Sequence, residues 1–384
     1  MNALHDSFLL DPTITFLNFG SFGACPKPIF QRYQDFQREL EAEPVKFIVR
    51  TGPEYLKTSR EALGKYIGCS SNEVVYVTNP TYAINLVARG LDLMPGDTIL
   101  STDLEYGAMD RAWNFYCKER GAHYVRQHIE LPIRSKDDFI DSFFRGCTSR
   151  TKAIFISHIT SSTALILPVE EICEEARRRG LITIVDGAHA PAHVALDLHG
   201  LPVDIYTGAC HKWMMAPKGS SFLYVRKELQ DRFAPLIISW GYESDHPSDS
   251  RFLDYHQFNG TRDYSAFLCT PACIDFMREH QWDVVSSDCR ALVHGQAERF
   301  ASLLQTEPLA PVNEDWIGQM LSLPIRTDQP EALQRELFDI HRIEVPLMRH
   351  QGRAFIRFSI NAFNSVRDLD ALFDALQASP LWTR

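Results

Sequence analysis

A chain of 384 residues with 45% apolar and 23% charged side chains has an ordinary globular composition, and it exceeds the size at which one hydrophobic core stops growing, so two domains are expected. Its 39 lysines and arginines against 49 acids leave a formal charge of -10, which argues against a broad nucleic-acid or anionic-membrane surface but leaves room for a local basic pocket. Nine scattered cysteines without a CxxC pair argue against a zinc ribbon or disulfide framework; with no signal-peptide pattern and no membrane-length apolar run, a reducing cytoplasm is the expected compartment.

The first clear element is the β-branched run EVVYVT (73–78), followed by TYAINLVARGL, where Ala83, Ile84, Val87 and Leu91 recur at helical spacing. Thr81 reads as the helix N-cap, and the amides after it as an anion site. DTILSTD (97–103) is the next strand, with Tyr106 just beyond its end, where an aromatic can stack on a planar ligand or pack on a helix. AMDRAWNFYCKERG reads as a helix closed by Gly121. The strands AHYVRQHI and TKAIFISHI follow, and the second leads into the hydroxyl run TSST at 160–163, which contains Ser161. PVEEICEEARRRG is a helix whose acidic start and basic end suit the helix dipole.

LITIV ends in Asp186, a carboxylate that is costly after an apolar strand unless it is paired or used. His189 and His193 follow in DGAHAPAH, four residues apart as two metal ligands on a helix would be, but Pro191 between them argues against a regular helix. DIYTGAC leads to His211 and Lys212, and SFLYVR closes the series. This rhythm predicts a mostly parallel sheet with helices on both faces and a ligand at the carboxyl ends of the strands.

After Arg226 the rhythm breaks, and residues 235–272 read as an extended connection or active-site loop. A long helix from about 273, GQMLSLPIR, a helix at 330–342, RAFIRFSI and the helix SVRDLDALFDALQ predict a smaller α/β domain. The expected division is a large domain over 15–265 and a small domain over 266–384 that includes the arm 1–14.

Consecutive strand ends thus supply an anion site, an aromatic plate, hydroxyls, a carboxylate, a histidine and a lysine. Pyridoxal phosphate needs such parts: an anion cradle, a lysine for a Schiff base, and a carboxylate that keeps the ring nitrogen protonated. No GxGxxG or GxxxxGK[ST] opens any of these helices, so dinucleotide and nucleoside-triphosphate readings fail. A metal-dependent hydrolase using His189, His193, Cys210 or His211 is the alternative of another class, and a non-catalytic binding protein a third.

FLNFGSFGACP (16–26), DLEYGA, SHITSSTALILPV, VDGAHAPAH, CHKWMMAPKG, NGTRD and RFSINAFN together resemble the class V aminotransferase group of fold-type I pyridoxal-phosphate enzymes, most of all the isopenicillin N epimerase-like family. The resemblance implies a large domain with a mostly parallel seven-stranded sheet between helices, plus a smaller C-terminal α/β domain. It makes Lys212 the Schiff-base lysine, Asp186 the partner of the pyridine nitrogen and Tyr106 the plate stacked on the ring. Ser161 and His189 would sit by the phenolic oxygen. Thr81, with the backbone at Tyr82 and Ala83, would hold the phosphate, assisted by His211.

Gly260 and Thr261 match residues that reach the phosphate from a partner subunit, which implies a homodimer with shared sites. Arg357 matches the arginine that clamps the substrate α-carboxylate, and Ser21 is the other substrate-binding candidate; no metal ligand is implied. Phe19, Ala209 and Pro80 depart from the family pattern. The implied reaction starts with removal of the Cα proton of an amino acid by Lys212. Reprotonation on the opposite face, for which Tyr106 is the candidate acid, gives epimerisation; β-elimination and transamination are the alternatives. No cysteine follows Cys289, so a persulfide-forming desulfurase is not expected.

Overall fold

The computed structural model describes residues 4–383. A short strand β1 (Thr15–Phe16) precedes the seven strands of the main sheet: β2 (Val74–Val77), β3 (Thr98–Thr102), β4 (His123–Gln127), β5 (Thr151–Ser157), β6 (Ile182–Gly187), β7 (Ile205–Ala209) and β8 (Ser221–Val225). Their order is β2-β8-β7-β6-β5-β3-β4. Every pairing from β7 to β4 is parallel, and β8 runs antiparallel to both its neighbours. The expected seven-stranded, mostly parallel sheet is therefore present.

Successive residues of a strand point to opposite faces, and here both faces are covered. In β8, Phe222 and Tyr224 enter one apolar cluster while Leu223 and Val225 enter the other. The helices Pro80–Gly90 and Gly107–Glu119 bury Ile84, Val87, Met109 and Trp113 on the second face. The helices Gly52–Ile67, Lys136–Phe144 and Val169–Arg178 cover the first, whose cluster runs on into the C-terminal part. Double burial is why these strands read as unbroken apolar runs rather than alternating ones.

The C-terminal part holds a three-stranded antiparallel sheet ordered β11-β12-β9, made of β9 (Met320–Ile325), β11 (Leu347–His350) and β12 (Arg353–Ser359). It packs against the helices Trp282–Leu304 and Val366–Ala378, with Phe300 5.0 Å from Phe358. Strand β10 (Ile343–Glu344) pairs in parallel with β1, so residues 15–16 are fastened to the C-terminal part. The 235–272 stretch is not all extended: it contains the helices Arg251–Gln257 and Ser265–Leu268. No described helix is long and apolar enough to cross a membrane.

Reversal of β8 has a direct consequence for the site. The chain leaves β7 at the carboxyl edge of the sheet, turns through Cys210–Ser220 and comes straight back, which leaves Lys212 on the edge where every neighbouring parallel strand also ends. The turn is closed by the His211 amide on the Ser220 carbonyl at 3.0 Å and the Ala216 amide on the Cys210 carbonyl at 3.0 Å. Gly23 lies against this turn at φ 65°, and a Cβ there would stand 2.5 Å from the His211 carbonyl oxygen and 2.9 Å from the Lys212 Cα. Gly23→Ala is therefore expected to lower stability by about 2–4 kcal/mol through backbone strain and overlap. Denaturant unfolding checks this, and an unchanged midpoint would count against the close packing described.

Candidate active site

A cavity of about 180 Å³ opens at the carboxyl ends of β3, β5, β6 and β7, lined among others by Ser21, Thr81, Tyr106, Ser161, Asp186, His189, His211 and Lys212. Eight residues singled out from six separate stretches of sequence thus face one space. Asp186 ends β6 and is buried; the Ala188 amide donates to one carboxylate oxygen at 2.9 Å, and the other has no hydrogen-bond partner among the described residues. Burial raises its pKa, against the opposing effects of the Ala188 bond and of Lys212.

Lys212 Nζ lies 3.1 Å from His189 Nε2. Burial lowers the lysine's pKa to about 8; the Asp186 carboxylate pulls it up and the Arg357 guanidinium pushes it down. His189 is held well below the usual histidine range by burial and by Lys212. His211 is pushed down to about 4, chiefly by burial, with its Nδ1 2.9 Å from the Ser220 carbonyl oxygen. Since a carbonyl only accepts, Nδ1 of His211 carries the proton, and Nε2 is the nitrogen left for a ligand.

Arg357, on β12, is 1% exposed and has no carboxylate partner. One terminal nitrogen donates to the Ser161 carbonyl at 2.7 Å, the other to Ser21 Oγ at 2.9 Å, and Nε has no partner among the described residues. Ser21 Oγ in turn donates to Asn18 Oδ1 at 2.5 Å, and Asn18 Nδ2 donates to Glu344 Oε1 at 3.1 Å. A buried guanidinium with an idle N–H is an arrangement that accepts a carboxylate ligand.

The phosphate end corrects the sequence reading. Thr81 is not the cap of its helix: Asn79 is, and its side chain takes the Tyr82 amide at 2.8 Å. The Ala83 amide is used by the Asn79 carbonyl at 3.3 Å. Neither the Tyr82 nor the Ala83 amide is therefore free for a ligand in this arrangement, while Thr81 itself lines the cavity. Asn followed by Pro at the first helical position is a stronger cap signature than a Thr one residue inside, and it was available in TNPTY. Gly260 and Thr261 are exposed and do not line this cavity.

The metal alternative is also corrected. His193 Nδ1 faces the His189 carbonyl at 3.1 Å and its Nε2 accepts from the Gln319 amide at 2.7 Å, so both ring nitrogens are committed. No group of three or more His, Cys, Asp or Glu side chains suited to a metal ion occurs among the described residues.

Two residues that sequence reasoning missed belong to the surroundings. Glu105 is buried next to Tyr106, accepting from Thr102 Oγ1 at 2.6 Å, the Ser157 amide at 2.9 Å and Ser157 Oγ at 2.5 Å. Burial pushes it up to about 8 against those hydrogen bonds. Phe22, 69% exposed, stands at the cavity mouth. An acid three residues beyond a buried strand was the available signal for Glu105; Phe22 carried none.

The unclaimed Asp186 oxygen, the buried Lys212 amine and the idle Arg357 N–H fit pyridoxal phosphate with an amino-acid ligand. Comparison with known proteins agrees. The aminotransferase class-V family matches residues 23–372. Isopenicillin N epimerase of Amycolatopsis lactamdurans is 36% identical over 96% of both chains. A probable chloroplastic L-cysteine desulfhydrase of Arabidopsis thaliana is 27% identical over 95% of this chain and 83% of its own. Among solved structures, a C-DES mutant with glycine covalently linked to its pyridoxal-phosphate cofactor superposes with a TM-score of 0.82 at 19% identity, covering 97% of this chain and 99% of that one. The family and these neighbours support pyridoxal phosphate as the cofactor.

The lysine's environment yields a titration. With its pKa lowered to about 8, the neutral, nucleophilic amine gains population as pH rises through 8, well before an ordinary lysine at roughly 10.4. Pulse labelling of the cofactor-free chain with an amine reagent, read by peptide mass spectrometry, is expected to show Lys212 modification rising to a plateau near pH 9. A profile that climbs only above pH 10 would contradict this.

Proposed function

The chain belongs to the aminotransferase class-V family, and from that premise we propose that it is a pyridoxal-phosphate-dependent amino-acid epimerase. The observation that carries the reading is the buried Lys212 amine together with a buried Arg357 that has no carboxylate partner among the described residues and whose terminal nitrogens bond Ser161 and Ser21, two residues of the Lys212 cavity wall. Lys212 is the residue that holds the cofactor covalently, and Asp186 the one that keeps its ring nitrogen protonated. Thr81 and His211 hold its phosphate, Ser161 and His189 its phenolic oxygen, and Tyr106 covers its ring. When bound, pyridoxal phosphate supplies an electron sink for negative charge at the substrate Cα.

The chain's own groups do the remaining work. Arg357 binds the α-carboxylate through Nε and a terminal nitrogen, which fixes the direction of the Cα–H bond. Ser21 keeps the guanidinium in place while it does so. Lys212, as a neutral amine, takes the Cα proton, and burial beside Arg357 favours that neutral form. Tyr106, 48% exposed and on the cavity wall, is the hydroxyl donor for the opposite face.

Gly260 and Thr261, turned away from this cavity, serve the cavity of a second subunit in a homodimer. The relatives at 36% identity support epimerisation over the desulfhydrase reaction of those at 27%. A C–S lyase is the second reading, favoured by the desulfhydrase relatives. Persulfide formation lacks a thiol after Cys289.

The deciding test is incubation with a panel of amino acids in deuterated water. Epimerisation is expected to give deuterium at Cα with inverted configuration; release of pyruvate with sulfide or thiol would replace it by the lyase reading. Tyr106→Phe is expected to retain deuterium exchange on one face while inversion falls about 10²-fold or more, the usual weight of a general acid. Inversion at the wild-type rate would remove Tyr106 from that role. Arg357→Lys, which loses the planar two-point contact, is expected to raise KM roughly 10- to 100-fold. Steady-state kinetics on whichever amino acid exchanges reads this directly.

A further inference from the structure

His189 bridges two groups that make different demands on it. Its Nε2 is 3.1 Å from Lys212 Nζ, and its Nδ1 is 3.4 Å from Trp213 Nε1. An indole N–H can only donate, so the nitrogen it faces must be bare. For a neutral imidazole, a bare Nδ1 leaves the proton on Nε2, pointing at Lys212. An N–H aimed at the lysine is satisfied by the lone pair of a neutral amine and opposed by an ammonium, which has only donors. To face an ammonium, His189 would have to move its proton to Nδ1, and two N–H groups would then confront each other at Trp213.

We propose that Trp213 is a positioning residue that selects the Nε2–H tautomer of His189 and thereby favours the neutral amine of Lys212 over its ammonium. The inference rests on Lys212 being the lysine that captures the cofactor.

Packing leaves the indole little choice. Trp213 is 1% exposed, lies 4.0 Å ring to ring from His193 and 5.1 Å from Phe19, and its Nε1 has no other partner among the described residues. The His189 backbone is also held, because its carbonyl faces His193 Nδ1 at 3.1 Å. The charged or titratable groups around Lys212 are Asp186 at the end of β6, Arg357 on β12, His189 in the turn after β6, and its neighbour His211. Asp186 favours the ammonium; Arg357 and burial oppose it. The tautomer adds a directional preference to that balance, at the one hydrogen bond the amine makes among the described residues. It also leaves His189 a donor toward any anionic oxygen beside Lys212, the role its position by the phenolic oxygen requires.

Two measurements test this on the full-length, cofactor-free chain. Nitrogen-15 spectra of histidine-labelled protein, with the His189 ring assigned by its loss in His189→Asn, report the tautomer without any change at Trp213. Nε2–H is expected, and Nδ1–H would overturn the proposal. The second measurement follows capture of added pyridoxal phosphate against pH, read as a borohydride-reducible adduct mapped to Lys212. Trp213→Phe keeps the ring and removes the donor, so its profile is expected to move to higher pH, with capture at pH 7 slower by roughly three- to tenfold, the weight of one buried hydrogen bond. A variant profile identical to wild type overturns the proposal while leaving Lys212 as the capturing residue. A wild-type chain that forms no adduct at Lys212 overturns the lysine reading, and this proposal with it.

Discussion

An ammonium group loses hydration worth several kcal/mol when it is taken out of water, and it stays charged only if the protein replaces what was lost. At Lys212 the replacement is partial: Asp186 draws the proton on, while burial and the Arg357 guanidinium drive it off. The surrounding site follows from that imbalance. Reversal of β8 brings the lysine turn to the carboxyl edge of the sheet, where Asp186 and Ser161 also arrive. The close approach at Gly23 keeps the turn from moving away. Two buried basic groups around a single carboxylate leave the cavity short of negative charge, and Glu105, raised to about 8, does little to correct this. A cavity with that deficit suits anions, which is consistent with the phosphate and the amino-acid carboxylate of the proposed function.

Much of this was legible in the sequence because it depends on short-range signals. Strands buried on both faces give unbroken apolar runs, and the residue ending each run is at the ligand edge by the topology of parallel sheets. Asp186 and Lys212 could be found that way without coordinates. The helix Lys27–Ala42 could not, because only Ile29 and Phe36 of its sixteen residues are buried and its polar surface masks the period. The Asn79 cap was missed by preferring a hydroxyl inside the helix to the Asx residue before the proline. His193 looked like half of a metal pair because spacing says nothing about partners such as the Gln319 amide, 126 residues away. Long-range hydrogen bonds of that kind are where a sequence pattern stops being informative.

Arg357 shows how distant segments are joined at one atom group. Its guanidinium is held by a carbonyl of the large sheet's connection after β5 and by Ser21 of the N-terminal segment, which leans on Asn18 and Glu344. The parallel pairing of β1 with β10 fixes the same N-terminal segment to the C-terminal part. Large sheet, small sheet and N-terminal arm therefore meet at the Arg357 guanidinium. On the proposed reading, a carboxylate taking the idle Nε–H would add a bond to this junction without breaking those already there, a preorganised rather than an induced contact.

The scaffold that removes a Cα proton is common to the epimerases and the desulfhydrases this chain resembles, so the outcome has to be decided outside the Lys212–Asp186 pair. Elimination requires only that a group on Cβ leave after the proton has gone, and it makes no demand on the far face of the substrate. Inversion requires a proton donor there, close enough to act before Lys212 returns the proton it took. Tyr106 is the side chain proposed for that duty: it lines the cavity and is 48% exposed, so solvent reaches the residue that would have to recover a proton between turnovers. Glu105 beneath it is fastened by Thr102 and Ser157, which limits how far the Tyr106 backbone can drift. Rigidity on the far face matters more to an epimerase than to a lyase, because an epimerase must deliver a proton to a carbon whose position, on the proposed reading, Arg357 fixes.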